Sequence, residues 1–597
     1  MARYDAPLET TAMRPSIHLH HRLDVTQSSS HLVQIETTVL ADTPLPAELT
    51  LFMPVWTPGS YLVREYARHV ESFSAQAPAR ATKIRKNAWQ IQTLGATAVV
   101  VRYRVYCNEL TVRTNHSDHS HAYVNGAATF LAVEGCESAA AEIEVVAPSG
   151  WRIATALPAS GNTLRAADLD ALVDCPIEIG EHVEHRFEVL GKSHRFAVWP
   201  AGEIREDDLR RLATDTATIL ETEARLFGGA LPYDDYLFLL HLSPRGRGGL
   251  EHKTSSSLLA SAAAFATHDA YLDLLSLVAH EAFHLWNVKR IRPRGLTPYR
   301  YQEENYTRLL WWFEGATSYY DWRVLRLAGL CTVGEYLDHL AAEIAYLDAT
   351  HGRLVHSLEE ASFDAWIKLY RPDENSQNSS VSYYRKGELV CALLDLEIRA
   401  RSAGRASLDA VLLRLWERFG ARNEPVPEGA MQDILETATD TKLGDVLDAW
   451  VRAPGEVDYG PTLARVGLAI DRSARADAPA GSLGMRLRSE GGRAVVAAVA
   501  RGAAAQRAGI DPGDEIVAIA GRRVEGTNVD AAIGRAQAGE SVDVLVARDG
   551  RTLVRAVTLD PPRRDRVRLV QLDDATPEAR AAFVAWLGAP HPAWEGK

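Results

Sequence analysis

No stretch of this 597-residue chain approaches the ~18 consecutive apolar residues of a membrane-spanning helix, and its N-terminus lacks the apolar core of a secretory signal. The expectation is a cytoplasmic protein with no membrane partner. Cysteine is scarce as well. Cys107, Cys136, Cys175, Cys331 and Cys391 are scattered, odd in number and without a C-x-x-C pair, which predicts reduced thiols rather than a disulfide frame or metal ligands. Positive charge is in deficit, with 65 Lys and Arg against 78 Asp and Glu and a net charge of -13. With no basic run or basic patch interleaved with aromatics, nucleic acid is excluded as a partner. A chain of this length exceeds what one core can organise and predicts three or four domains.

The texture of the sequence changes along its length, and together the segments predict a multidomain α+β protein. Residues 16 to 196 alternate apolar and polar positions between Gly, Pro, Asn and Asp turns, so residues 1–200 are assigned to an N-terminal antiparallel β-domain. Residues 201–460 carry mainly helical periodicity and form the expected catalytic domain. Within it YLFLLHLSP, 236 to 244, reads as a strand followed by a glycine-rich polar loop that could edge a substrate cleft. Residues 461–562 read as a compact C-terminal β-domain, and 563–597 as a charged, weakly helical tail without assigned function. No internal repeat is present.

The chemistry concentrates at His280-Glu281-Ala282-Phe283-His284, within an apolar stretch free of Gly and Pro through Trp286. Asp269 is the expected N-cap. Histidines at i and i+4 share one helix face and can reach one tetrahedral zinc, while Glu281 projects beside them, where it can act on water instead of binding the metal. A third ligand must come from elsewhere. Glu314 is the candidate, because it opens a second apolar helix running to about Leu327, with Gly315 leaving room for close packing. Two other histidine groups are set aside: His18, His20 and His21 alternate along a strand, and His116, His119 and His121 lie in a loop-like run that nothing in the sequence places at the site.

MPVWTPGSYLVREYARHV (53 to 70), GGLEHKTSS (248 to 256), HEAFHLWNVKRIRP (280 to 293), WWFEGATSYY (311 to 320) and SYYRKGELV (382 to 390) together resemble the glycyl aminopeptidase family of zinc metallopeptidases. These are gluzincins with a thermolysin-like core, an N-terminal β-domain and a C-terminal PDZ domain. The resemblance implies one zinc per chain on His280, His284 and Glu314, Glu281 as general base, and removal of N-terminal glycine or alanine from peptides. Related aminopeptidases hold the substrate amine on a Gly-x-Met-Glu-Asn segment. Gly249 and Glu251 occupy the equivalent place here, with Leu250 and His252 as departures. By the same likeness Tyr384, ahead of Lys386-Gly387, donates to the oxyanion, with Tyr383 beside it. Trp56, Tyr61 and Tyr66 are candidate walls of the first subsite. The partners expected are peptides with a free N-terminus.

SLGMRLRSEGG (482 to 492) and AGIDPGDEIVAIAGRRV (508 to 524) resemble the carboxylate-binding loop and following strands of a PDZ domain. Such a loop can hold peptide C-termini. A structural or dimerising role fits as well, so a homo-oligomer stays open. Two rival readings are a zinc metalloendopeptidase with the same centre and a PDZ-containing peptide-binding scaffold.

Overall fold

The computed structural model describes residues 16–594 apart from 525 and 528. They fall into two compact units. The first comprises the chain to Ala217 together with Leu231–Leu285 and Pro298–Asn305; the second comprises Thr218–Ala230, Trp286–Thr297 and Tyr306 onward. No helix among the described residues is long and apolar enough to cross a membrane.

The first unit opens with a β-sandwich-like domain. A seven-stranded sheet is centred on Ile17–Asp24, Leu32–Ala41 and Ala98–Tyr106, and a four-stranded sheet on Glu48–Phe52 and Ala88–Gln92. Their inner faces supply Leu23, Val33, Ile35, Leu51, Ile91, Val101 and Ile143 to one core. The pairing is antiparallel as expected, with one exception: Ile17–Asp24 runs parallel to Ala140–Val146. In the first strand Ile17, Leu19, His21 and Leu23 point inward, so His21 belongs to the core while His18 is exposed. His21 Nδ1 meets Thr37 Oγ1 at 2.9 Å, and burial, helped by His20, pushes its pKa down to about 3.

A further, five-stranded sheet in this unit runs in the order Val183–Val189, Lys192–Trp199, Asp235–Leu242, Ser255–Ala260, Gly248–Glu251. Tyr236 to Leu240 is buried on both faces, as a continuous apolar run requires. The glycine-rich segment after it is not a loop. Gly248–Glu251 turns back to pair antiparallel with Ser255–Ala260 and forms the edge strand.

The second unit is helical through its middle part. Its helices include Gly315–Leu327, Val333–Ala349 and Arg385–Arg401, the second of them opened by a capping box between Thr332 and Glu335. The C-terminal β-domain follows, with the strands Met485–Glu490, Arg493–Val499, Glu515–Ile519, Ser541–Arg548 and Arg551–Thr558 in one sheet. Residues beyond it return to the helical part. Arg566–Gln571 pairs with Leu468–Ser473, and helix Pro577–Leu587, capped by Thr576, buries Phe583, Trp586 and Leu587. Trp586 Nε1 donates to Tyr319 Oη at 3.0 Å, and that phenol donates to Asp395 at 2.7 Å. The tail therefore clamps the helix Gly315–Leu327.

Two outcomes follow. Trp586→Ala should cost about 3–5 kcal/mol of stability, the range for removing a buried aromatic, in urea unfolding followed by circular dichroism; a loss under ~1 kcal/mol would mean the tail is not docked. Because the folded pKa of His21 is depressed, the unfolded chain takes up that proton first, and stability from this residue is lost as pH falls below ~6.5. The stability advantage of wild type over His21→Phe should shrink on acidification by up to ~1.4 kcal/mol per pH unit, as urea midpoints between pH 7 and 5 would show.

Candidate active site

Helix His268–Phe283 carries the His-Glu-x-x-His motif. Its N-cap is Thr267, whose hydroxyl accepts from Ala270 N; Asp269 lies inside the first turn, where its charge suits the helix dipole. The helix ends at Phe283, with His284 as its C-cap. His280 Nε2 and His284 Nε2 stand 3.1 Å apart with their rings at 85°. Ligands of a tetrahedral zinc at ~2.0–2.1 Å lie about 3.3 Å from one another, so the two imidazoles already span one edge of such a tetrahedron. The donor set fits the metal.

Period-2 alternation of the edge strand sorts its side chains. Leu250 packs into a small cluster with Val112 and Leu259, while Gly249 and Glu251 face the motif helix. A Cβ on Gly249 would lie 2.0 Å from Glu281 Oε1, so only glycine lets this strand pass the carboxylate. Glu251, Glu281 and His284 converge, with one polar atom of each within 4.8 Å of the others. Glu251 is 4% exposed, and its Oε1 has no hydrogen-bond partner among the described residues. A buried carboxylate oxygen is stabilised by a donor or cationic partner.

Further residues of the first unit surround this arrangement, and among them Gly59 and Arg113 are not singled out by the sequence. Gly59, at φ +87°, places the Thr57–Ser60 turn so close to Glu251 that a Cβ there would sit 2.4 Å from Oε2. Arg113 Nη2 donates to Gly249 O at 3.2 Å, and Arg113 O accepts from Tyr66 Oη at 2.8 Å. Tyr66 thus supports the strand through Arg113. Trp56 turns its ring toward Tyr299 and Tyr301 and donates to Arg300 O. Tyr61 is buried. His252 leaves the edge strand in a turn and pairs with Asp174 at 3.5 Å.

In the second unit, Glu314 falls at the break between the helices Leu310–Phe313 and Gly315–Leu327 and is buried. Asn287 fixes that break, its amide donating to Thr317 Oγ1 at 3.1 Å and to Phe313 O at 3.3 Å. Gly315 lies against Gly387, where a Cβ would come 2.6 Å from the facing Cα, so the helices Gly315–Leu327 and Arg385–Arg401 touch backbone to backbone. Tyr384 caps the second of these and stacks on Tyr383, and its hydroxyl lies 3.3 Å from that of Tyr370. Burial, then the nearby negative Glu314, holds the Tyr384 phenol well above the ordinary tyrosine range, so it stays a proton donor. Ser318 is buried one turn beyond Glu314.

The model of the Peptidase M61 N-terminal domain matches residues 20–181, and that of the M61 glycyl aminopeptidase matches residues 273–390. Segments of this chain thus match both the N-terminal and the catalytic domain models of the M61 glycyl aminopeptidases. The PDZ domain model matches residues 481–559. A crystal structure of an aminopeptidase N family protein from Idiomarina loihiensis is 28% identical and superposes with a TM-score of 0.89, covering 95% of this chain and 100% of that one. An M1 zinc metallopeptidase from Deinococcus radiodurans is 15% identical, with a TM-score of 0.46 over 74% of this chain and 95% of that one. No curated protein matches the sequence.

Gly249→Ala, which forces Glu281 aside, should lower peptidase turnover at least ~10²-fold, the order for a displacement of about 1 Å at an active site, while leaving the thermal melt within a few degrees of wild type. Activity within threefold of wild type would show that the strand and Glu281 do not constrain each other.

Proposed function

We propose that the protein is a zinc-dependent aminopeptidase that removes small N-terminal residues, glycine and alanine, from peptides. His280, His284 and Glu314 hold one zinc per chain, Glu281 is the general base, Tyr384 is the oxyanion donor, and Glu251 with Gly249 receives the substrate N-terminus. The observation that carries this reading is the buried Oε1 of Glu251, without a hydrogen-bond partner among the described residues, on an edge strand beside the motif helix. A substrate ammonium would complete it, and a blocked N-terminus would leave a carboxylate buried without a counter-charge, a costly state. A metalloendopeptidase would not need that group.

When bound, zinc supplies a Lewis acid that acidifies water and polarises the scissile carbonyl. Glu281 takes the proton from the attacking water and returns it to the leaving amine nitrogen, so one carboxylate serves both halves of the reaction. The Tyr384 phenol donates a hydrogen bond to the carbonyl oxygen as negative charge develops there, a contribution of about 3 kcal/mol in the transition state. Gly59 narrows the space beside Glu251, which agrees with a subsite for glycine or alanine. Five free cysteines agree with a cytoplasmic location.

At the PDZ domain we propose capture of peptide C-termini. A groove of about 200 Å³ is lined by residues that include Ser482, Leu483, Gly484, Met485, Val529, Ile533 and Arg563. Met485–Glu490 is the edge strand of its sheet, free to accept one more.

Hydrolysis of Gly-, Ala-, Leu- and N-acetyl-Gly-p-nitroanilide, with and without chelator and zinc add-back, tests the catalytic reading. The expected result is chelator-sensitive turnover of the Gly and Ala substrates and at least ~10²-fold slower cleavage of the acetylated one. Glu281→Gln should retain zinc and lose about 10²–10⁴-fold in kcat, the usual weight of general acid–base catalysis. Turnover of the acetylated substrate at the rate of the free one overturns the aminopeptidase assignment in favour of an endopeptidase.

A further inference from the structure

The histidine-rich hairpin 116 to 121, which the proposed function leaves unused, is organised around a point of its own. His116–Ser117 and His121–Val124 pair antiparallel, and the turn between them is held by Asp118, whose Oδ1 accepts from Ser120 N, Ser120 Oγ and His121 N. His119 is exposed and takes no part. His116 Nδ1 and His121 Nε2 face each other at 2.7 Å, and one ligand atom from each of His116, Asp118 and His121 lies within 4.8 Å of the others.

The His121 ring is held from every side. It stacks on Trp199 at 3.5 Å between centroids, with planes 6° apart. Gly180 stands opposite it in the neighbouring strand, where a Cβ would come 2.6 Å from His121 Cβ, so the backbones approach closely at this register. Its Nδ1 donates to the buried Glu178 at 2.9 Å, and the second oxygen of Glu178 meets His241 Nε2 at 3.0 Å. The far nitrogen of His241 is buried with no partner among the described residues. A donation from Nδ1 to a buried carboxylate sets the tautomer of His121 so that Nε2 presents a lone pair toward His116 and Asp118. That is how ligating histidines are oriented, with the other ring N–H on a carboxylate. Two imidazole nitrogens and one carboxylate suit a borderline divalent cation, and three protein ligands leave a fourth position open.

We propose that His116, Asp118 and His121 form a second zinc site in the N-terminal unit, oriented by Glu178 and His241 and separate from the His-Glu-x-x-His centre. Metal-stripped full-length protein is titrated with Zn²⁺ against a chromophoric competitor, and Co²⁺ is substituted to report coordination by its visible absorption. Wild type should take two equivalents. The His280→Ala/His284→Ala protein should keep one, His116→Gln or Asp118→Asn in that background should abolish it, and Glu178→Gln should weaken it about 10–100-fold, the usual cost of losing such a supporting carboxylate. His116 and Asp118 are only partly buried, so these variants are expected to melt as the parent does. If the His280→Ala/His284→Ala protein takes no zinc, or if its equivalent survives His116→Gln combined with Asp118→Asn, the proposal is overturned. A single equivalent in wild type that survives loss of His280 and His284 but not of His116 would instead sink the catalytic metal reading while leaving this one standing.

Discussion

The candidate active site depends on backbone approaching carboxylate more closely than any side chain would allow. Gly249 passes Glu281, and Gly59 passes Glu251, each at a distance where one methyl group would collide. The consequence is electrostatic as much as steric. Bringing backbone against both carboxylates excludes water from them, leaving Glu281 and Glu251 each 4% exposed. A carboxylate removed from water answers strongly to a proton or a cation placed beside it, because the interactions it makes are no longer screened. Close packing at two glycines thereby sharpens the electrostatic response of two otherwise ordinary acids.

The second unit uses the same device for a different end. Gly315 against Gly387 lets two helices touch, and this contact sets the start of one helix, where Glu314 sits, beside the start of the other, where Tyr384 sits. Both residues occupy breaks in helical structure, where the side chain is fixed by flanking backbone. Asn287 and the docked C-terminal helix hold the pair of helices in place, the first through Thr317 and the second through Tyr319. The tail thus contributes to the geometry near Glu314 without contributing a reacting group.

How much of this the sequence announces depends on whether the signal is local. The His-Glu-x-x-His helix is legible because its spacing, its apolar periodicity and its freedom from Gly and Pro all act within a few turns. Its first residue was misplaced by two positions, since Thr267 and Asp269 both have capping side chains and only the backbone direction decides between them. The segment Gly248–Glu251 reads as a loop because four residues with two glycines carry no β-propensity; its strand character comes from pairing with Ser255–Ala260. Gly59, Arg113 and Asn287 act across long sequence separations, so no window of residues contains their partners. The tail helix was similarly opaque. Trp586 is one aromatic in a weakly patterned segment until Tyr319 and Arg323 are seen to receive it.

The chain also contains a contrast that separates carboxylates kept for structure from those kept for chemistry. Asp395 and Asp409 are well partnered: Tyr319 and Leu408 N donate to the first, which also pairs with the Arg399 charge, and Tyr320 and the Arg323 guanidinium donate to the second. Their lone pairs are used, and the result is a satisfied network that rigidifies the helices. Glu251 is buried as Asp395 is, yet its Oε1 has no hydrogen-bond partner among the described residues. In a folded chain such a vacancy costs on the order of 1–3 kcal/mol, and an isolated one tends to be removed by substitution or filled. It stands in a residue framed by Gly59, next to Glu281 and His284. The acids with several donors hold the fold, and among the described residues Glu251 contrasts with them.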